Sequence, residues 1–485
     1  MSGVSTVRKE LHDMLPTYRL IEDTLAGESA VKAAKEKYLP IPSEASGSDA
    51  LQQERYDAYL KRAVYYNVVT PTRDALVGQL FLRPPKVKLP SVMAAMETDL
   101  NGEGLGVEQL IRRAANHVLP YGRCGFLADY PRTKGQVTQA DVEAGVRPVV
   151  RFFEPWAVIN WKVEKVGDVK KLVLLVLKEA YEDNEEDEFS IQIKHRHRVY
   201  RLKDNEVSVQ LYKENTKDGE PILLKSASGE ALKEIPFQFA GSENNDSEID
   251  QPPLYSMASL NVAHYRNSAD YEESVFLVGQ PTPVYSGLTA DWVDNYFKKG
   301  VPFGSRASVP LPENAEAKLL QAQPNTLAFE AMRQKESQMI AIGAKLINPK
   351  STVERKEAEI QIEAASQKSV LTTIKDNLQN AMLSCLIQAA SFANANPQEI
   401  ELELNDNFDL TSLTGEELRW LLELFNNSTL SFDEFHENLR RSGIVKTTAD
   451  EARKAIKADV EFRKATTIVP PAVGTPEPPK NPEEE

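Results

Sequence analysis

Residue types that do chemistry in proteins are sparse in this chain, and each cluster has a plain reading beside its functional one. In KHRHRVY, His195 and His197 stand two apart, which puts both on one face of a strand, with Arg196 and Arg198 on the other. Two imidazoles begin a metal site, but neither a cysteine nor a third histidine is near, so the stretch reads as a solvated strand. GEGLGVEQL carries Gly102, Gly104 and Gly106 ahead of a helix. A dinucleotide fingerprint needs its third glycine where Val107 stands, and a buried strand where AAMETDL reads as helix. DNEEDE, at 183 to 188, offers carboxylates to a hard cation, or is simply a solvated turn. Walker A, G-x-S-x-G and H-E-x-x-H patterns do not occur. No catalytic, cofactor-binding or metal-binding residue is therefore assigned, and the chain is not read as an enzyme.

Composition narrows the classes further. The chain has 485 residues, room for two to four domains or one elongated subunit of several parts, and 41% of them are hydrophobic, enough for real cores. Its 57 Lys and Arg against 72 Asp and Glu give a net charge of −15, which disfavours a sequence-reading nucleic-acid binder with a basic face. Cys124 and Cys385 stand far apart, so neither a disulfide framework nor a cysteine-rich zinc site is expected, and a reducing interior suits the chain. MSGVSTVRKELHDML lacks a signal peptide's apolar stretch, and LVLLVL at 172 to 177 is strand-sized, so no membrane segment is expected.

The elements follow from periodicity and punctuation. Residues 1 to 85 read as helical, with Tyr56, Leu60, Ala63, Asn67 and Thr70 at three-four spacing, ended by Pro84 and Pro85. GVEQLIRRAANHVLPYG reads as a helix and CGFLADY as a strand. Between about Val146 and Phe239 the pattern turns to strands, with KDNE as a turn. From Pro253 to Leu277 nothing breaks a helix; its thin stripe of Met257, Leu260, His264, Asn267, Tyr271 and Ser274 is too weak for a rod wrapped by its own core. About 45 residues of strand and turn character follow, then a second helix from Asn325, so two rods flank a small module. INPKSTVERK is a basic break. Beyond it a long helix from Glu357 to Asn394 carries Ile360, Ala364, Gln367, Leu371, Ile374, Leu378, Ala381, Cys385, Gln388 and Phe392, a seam against another helix. Thr414 with Glu417 and Ser431 with Glu434 are capping-box spacings in a helical end. TLSFDEFHENLRRSGI there has the form of a helix-turn-helix, but its mixed charge favours a helical hairpin.

This order of elements, with the texts AVYYNVVTPTRDALVGQLFLRPP, FEPWAVINW and SLNVAHYRNSADYEESVFLVGQPTPV, resembles the portal proteins of tailed double-stranded DNA bacteriophages, over nearly the whole chain to about residue 465. The resemblance implies an α+β, predominantly helical, elongated subunit. It assigns 1–252 to a wing, 253–277 to a first stem helix, 278–324 to a clip and 325–343 to a second stem helix. It further assigns 344–356 to a channel loop, 357–410 to a long kinked helix and returning wing strand, 411–465 to a helical crown, and 466–485 to a disordered acidic proline-rich tail. The implied function is a ring of about twelve copies at one capsid vertex of the virion, assembled in the bacterial host cytoplasm, through which DNA is packaged and ejected. Lys345, Lys350, Arg355 and Lys356 would line the channel. Leu260, His264, Tyr271, Phe329, Met332 and Met339 would pack stem against neighbouring stem, and Trp292, Tyr296, Phe297, Lys298 and Lys299 would dock partners at the clip. Those partners are the chain itself, double-stranded DNA held without sequence preference, the large terminase subunit, a head-tail connector, and the major capsid and scaffolding proteins, with no cofactor. Another virion or connector protein, or a metal-dependent nuclease or hydrolase built from scattered carboxylates, are the alternatives.

Overall fold

The computed structural model describes residues 3–42, 49–129, 146–183, 192–213, 215–279, 282–295, 298, 311–320, 326–347, 369–405, 415–441, 444–445 and 447–466. Two compact units result, Met1–Asp406 and Asn407–Glu485. The first begins with helices α1 (Lys9–Ala26), α2 (Glu28–Ala33), α3 (Asp49–Arg62) and α4 (Val69–Leu80), then β1 (Lys86–Lys88), α5 (Ala95–Thr98) and α6 (Val107–Tyr121). Strands follow: β2 (Arg123–Asp129), β3 (Val149–Phe153), β4 (Val158–Val166), β5 (Val169–Asp183), β6 (Gln192–Lys203), β7 (Glu206–Lys213), β8 (Thr216–Leu223) and β9 (Phe237–Gly241). Next come α7 (Tyr255–Gly279), β10 (Thr282–Ser286), α8 (Ala290–Asn295), β11 (Glu316–Leu320), α9 (Leu327–Ile347), α10 (Val370–Ala393) and β12 (Glu401–Glu403). The architecture is α+β, as the sequence indicates.

At the centre an antiparallel sheet in the order β3-β2-β9 carries α10 and α6. Helix α6 starts where Gln109 Oε1 accepts the Gly106 N–H at 3.0 Å and stops at Gly122, whose φ of 80° closes the helix with an N–H bond to the Val118 carbonyl. A Cβ at Gly125 on β2 would sit 2.2 Å from Phe237 Cζ, so any larger residue there forces that buried ring to move. The seam read along the long helix is buried where the structure describes it, with Leu371, Ile374, Leu378 and Cys385 all fully covered. Its main partner is nevertheless this sheet together with α6, not a coiled-coil mate. A stripe of that spacing fixes which face is buried and not what covers it. Ile360, Ala364 and Gln367 lie outside the described residues.

A second sheet is the meander β4-β5-β6-β7-β8, whose β6–β7 turn places Asp204 and Asn205 at φ 51° and 63°, as a two-residue hairpin requires. Strand β6 departs from the solvated reading. It is exposed from Gln192 to His195 but buried from His197 to Tyr200, and Arg198 is only 8% exposed. The returning strand β12 pairs antiparallel with β1, with Lys86 donating to Glu403 at 2.9 Å and Lys88 to Glu401 at 2.6 Å. The single register read from Tyr56 to Thr70 is interrupted, since α3 ends at Arg62 and α4 starts at Val69.

The second unit holds α11 (Gly415–Asn426), α12 (Phe432–Arg441) and α13 (Ala449–Thr466). Phe425 stacks on Phe435 at 4.5 Å between α11 and α12, and Arg453 bonds Asp433 at 2.8 Å between α12 and α13. The Ser431 and Glu434 capping box forms: the Glu434 N–H donates to Ser431 Oγ at 3.2 Å and Glu434 Oε2 accepts the Ser431 N–H at 2.9 Å. The Ser431 N–H and hydroxyl, both donating to Glu434 Oε2, hold that carboxyl below its ordinary range. Thr448 and Glu451 repeat the arrangement at α13. Thr414 lies outside the described residues, as does the tail from 467.

Candidate functional site

Helix α7 is unbroken because no proline or interior glycine falls between Tyr255 and Val278, giving a rod of about 37 Å at 1.5 Å per residue. Helix α9 lies alongside it. His264 Nε2 is 3.2 Å from Glu336 Oε1, Lys335 Nζ donates to Asn267 Oδ1 at 2.6 Å, and Tyr271 meets Phe329 at 5.7 Å between ring centres. As one number rises the other falls, so the two rods run antiparallel. Their far ends are joined through β10 and β11, paired antiparallel from Thr282 with Leu320 to Ser286 with Glu316.

The root of this hairpin is held by the N-terminal helices through a polar ladder. Asn261, fully buried, donates from Nδ2 to the Tyr66 carbonyl at 2.8 Å, while its Oδ1 accepts the Val68 N–H at 3.2 Å and lies 3.0 Å from the Tyr65 hydroxyl. Ser268 Oγ accepts the Val64 N–H at 3.1 Å and lies 2.6 Å from the Val64 carbonyl. These side chains satisfy the backbone between α3 and α4, which explains why the helix breaks there. Further along, Tyr59 donates to Asp270 Oδ1 at 2.6 Å, Arg62 pairs with Glu273 and stands 4.3 Å over the Phe276 ring, and Arg266 Nε donates to the Tyr38 carbonyl at 2.7 Å. Burial raises the Tyr59 hydroxyl, and its bond to Asp270 raises it further; burial also pushes Tyr265 up to about 12. Both stay neutral, and Tyr59 donates to Asp270. Replacing Asn261 with Leu, which branches at the same atom but cannot bond, strands the Tyr66 carbonyl and the Val68 N–H, while the Tyr65 hydroxyl keeps the Thr24 carbonyl at 3.0 Å; stability is expected to fall by roughly 2–4 kcal/mol in urea unfolding, and an unchanged midpoint would show the ladder to be idle.

The buried face of α7 is thus Met257, Ala258, Asn261, Val262, His264, Tyr265, Ser268 and Ala269, which shares Met257 and His264 with the stripe read in the sequence but is broader and turned away from the rest of it. The stripe of Met257, Leu260, His264, Asn267, Tyr271 and Ser274 missed Asn261 and Ser268, although their seven-residue spacing beside Val262, Tyr265 and Ala269 carries the signal. Of the six residues expected on the outside of the rods, His264 and Met339 are each 1% exposed and so covered within the chain. His264 sits between Glu336 of α9 and the Tyr66 ring, 6.0 Å from it between ring centres. Tyr271 and Phe329 meet one another, Leu260 and Met332 are half-buried, and Leu260 lines an open groove of about 590 Å³ between the rods that ends at Lys345. Lys345 is exposed in the last turn of α9, where a cation suits the helix dipole. Lys350, Arg355 and Lys356 lie outside the described residues.

Apolar side chains remain open on the hairpin. Leu327 is 72% exposed, Ile340 70%, and Val275, Phe276, Leu277 and Phe329 are exposed too. At about 100° per residue, Leu327 and Ile340 fall on opposite flanks of the inward face that Met339 marks. In the tip, Trp292 packs 6.2 Å from Tyr285 and is only 7% exposed, so it serves the tip's own small core rather than a docking face. Lys298 is exposed and paired with Asp294 at 2.6 Å, while Tyr296, Phe297 and Lys299 lie outside the described residues.

Chemical groups elsewhere are arranged for structure. Among the described residues no group of three His, Cys, Asp or Glu could hold a metal ion. Cys124 and Cys385 are buried, and burial raises both thiols well above their ordinary range, which suppresses the thiolate. Arg198, which the sequence places on a solvated strand, bridges Asp129 on β2 at 2.7 Å and Glu179 on β5 at 2.9 Å. Burial opposes its charge, yet Tyr200, Asp129 and Glu179 hold it well above the usual guanidinium range. Arg151 and Arg196 cap the same carboxylates at 2.9 and 3.0 Å.

A family model described as a domain of unknown function (DUF4055) matches residues 253–393, the span of α7, the tip, α9 and α10. Among solved structures the chain is similar to one in the virion of a native gene transfer agent particle, at 12% identity and a TM-score of 0.41 over 84% of this chain and 97% of that one. It is also similar to a chain in the neck of an empty particle of that kind computed with C6 symmetry, at 13% identity and 0.39 over 80% and 92%. A chain in the neck of the native particle computed with C12 symmetry gives 12% and 0.37 over 78% and 92%. No curated protein matches.

Proposed function

We propose that this chain is the repeating subunit of a portal-type ring, a virion structural protein whose hairpins stand side by side around a channel for double-stranded DNA. What carries the reading is the hairpin: a root fixed by buried hydrogen bonds, and two apolar residues, Leu327 and Ile340, left more than two-thirds exposed on opposite flanks of one helix. A subunit in a closed ring has a neighbour on each side and needs two different faces to meet them, which a dimer does not. In this reading α7 and α9 form the stem, the β10–β11 module is the clip where terminase and connector dock in turn, and the second unit is the crown. Capsid and scaffolding proteins surround the wing. The net charge of −15 on each copy keeps DNA from adhering, since every neutralised phosphate adds affinity to a contact that must slide. No catalytic step is part of the role.

Negative-stain microscopy and native mass spectrometry of the purified chain test it. Rings of about twelve copies with a central hole are expected. A chain that stays monomeric at every concentration, with no ring formed at reduced salt, overturns the reading.

A further inference from the structure

Outside the hairpin, the first unit carries a deep groove of about 1060 Å³ between α1 and the meander. Its floor is apolar: Val7, Leu11, Leu15, Trp156, Ile159 and Tyr181. Val7 and Leu15 are 37% and 36% exposed, so the floor stands open to solvent. Around it stand Lys178, Lys194 and Lys213 with His195 and His197, against a single acid, Glu154. His117, 3.6 Å away, and the neighbouring Trp156 already engage that acid, and they hold its carboxyl below the ordinary range. Lys213 is offset in part by Asp218 at 3.8 Å.

A smaller hollow of about 320 Å³ adjoins, sharing Glu154, Ala157, Lys178 and Ala180 and adding Arg113, Arg151 and Arg196. Across both linings stand six lysines and arginines and three glutamates, and of the six Arg151 and Arg196 already pair with Asp129 and Glu179. In a chain of net −15 this is a local reversal of sign, laid over an apolar floor.

We infer that this groove between α1 and strands β5 to β7 is a docking site for an acidic peptide segment of another protein, one that seats apolar side chains on the floor while its carboxylates meet the lysine rim. Charge complementarity selects that occupant, because complementary potential steers a partner and like charge repels the wrong one. A nucleic-acid backbone fits less well. It gains from continuous phosphate neutralisation and has nothing to place on a floor of Leu, Ile and Trp. The inference stands independently of ring formation, as none of these residues lies on the hairpin.

Fluorescence anisotropy on the full-length protein tests it with a labelled peptide of about twelve residues alternating Glu with Leu and Phe, with the same peptide carrying Gln for Glu or Lys for Glu, and with a duplex DNA of about twenty base pairs. Saturable binding of the acidic peptide is expected, weakened about tenfold or more by Gln for Glu and by raised salt. Lys178→Glu with Lys194→Glu should abolish it and favour the Lys peptide instead. Val7→Ser with Leu15→Ser, which leaves the rim intact, should weaken the acidic peptide while unfolding stays unchanged. Absence of saturable binding, equal binding to the charge-reversed variant, or displacement of the peptide by equimolar DNA would each overturn the assignment, the last in favour of a nucleic-acid surface.

Discussion

Replacing Arg198 with Met is expected to lower the stability of the first unit by about 3–5 kcal/mol, the usual consequence of removing one partner from a buried ion pair. Its Nη1 is 2.7 Å from Asp129 Oδ2, and its Nε and Nη2 are 2.9 and 3.2 Å from the Glu179 carboxylate. The side chains of Asp129 and Glu179 are only 19% and 11% exposed, so neither is rescued by solvent once the guanidinium is gone. Their remaining partners, Arg151 and Arg196, are 41% and 33% exposed and screened accordingly. Asp129 ends β2 of the central sheet and Arg198 lies mid-β6 of the meander, so this bond ties the two sheets together. The test is a double-mutant cycle in urea: Arg198→Met with Glu179→Met should be less destabilised than the single changes sum to, by 0.5–3 kcal/mol on the usual scale for side chains in contact. Strict additivity would mean that the pair is formed but contributes nothing.

Why Arg198 reads from sequence as a solvated side chain is plain from its partners. Glu179 is 19 residues away and Asp129 is 69, so only the strand pairing that aligns β5 with β6 and the approach of the two sheets bring them together. Alternation along KHRHRVY correctly sets residues two apart on one face, but it cannot say that His197 to Tyr200 run beneath a second sheet. The hairpin was more legible. Prolines and periodicity gave two uninterrupted helices around a strand-forming module, because those signals act within one segment. Even there the buried face was misjudged, since Asn261 and Ser268 are buried by hydrogen bonding to the α3–α4 connection and not by being apolar. For α10 the stripe gave the buried face and left its partner undetermined, and the sheet took the place expected of a helix. The basic break that sequence reasoning singled out at Lys350, Arg355 and Lys356 lies outside the described residues.

The largest expected effect is on assembly. Leu327→Asp with Ile340→Asp should leave a folded, soluble chain that no longer forms rings. Both side chains are already mostly in solvent, at 72% and 70% exposure, so charging them costs the isolated subunit little. In a ring each would be covered by a neighbour, and burying a Leu or Ile contributes about 1.5–3 kcal/mol, so one contact loses a factor of roughly ten to a hundred for each residue. Two carboxylates must also be desolvated without a cation opposite, which adds to the penalty. A ring compounds that loss, because every subunit presents both flanks and closure requires every contact. Met339→Asp is the control that separates assembly from folding: at 1% exposure, its carboxylate would be forced into a buried site, and the chain itself should unfold. Native mass spectra beside thermal unfolding read the two effects independently. Rings that persist in the Leu327 and Ile340 double variant would remove the hairpin flanks from the interface, and a double variant that melts like Met339→Asp would mean that these side chains hold the subunit together rather than its neighbours.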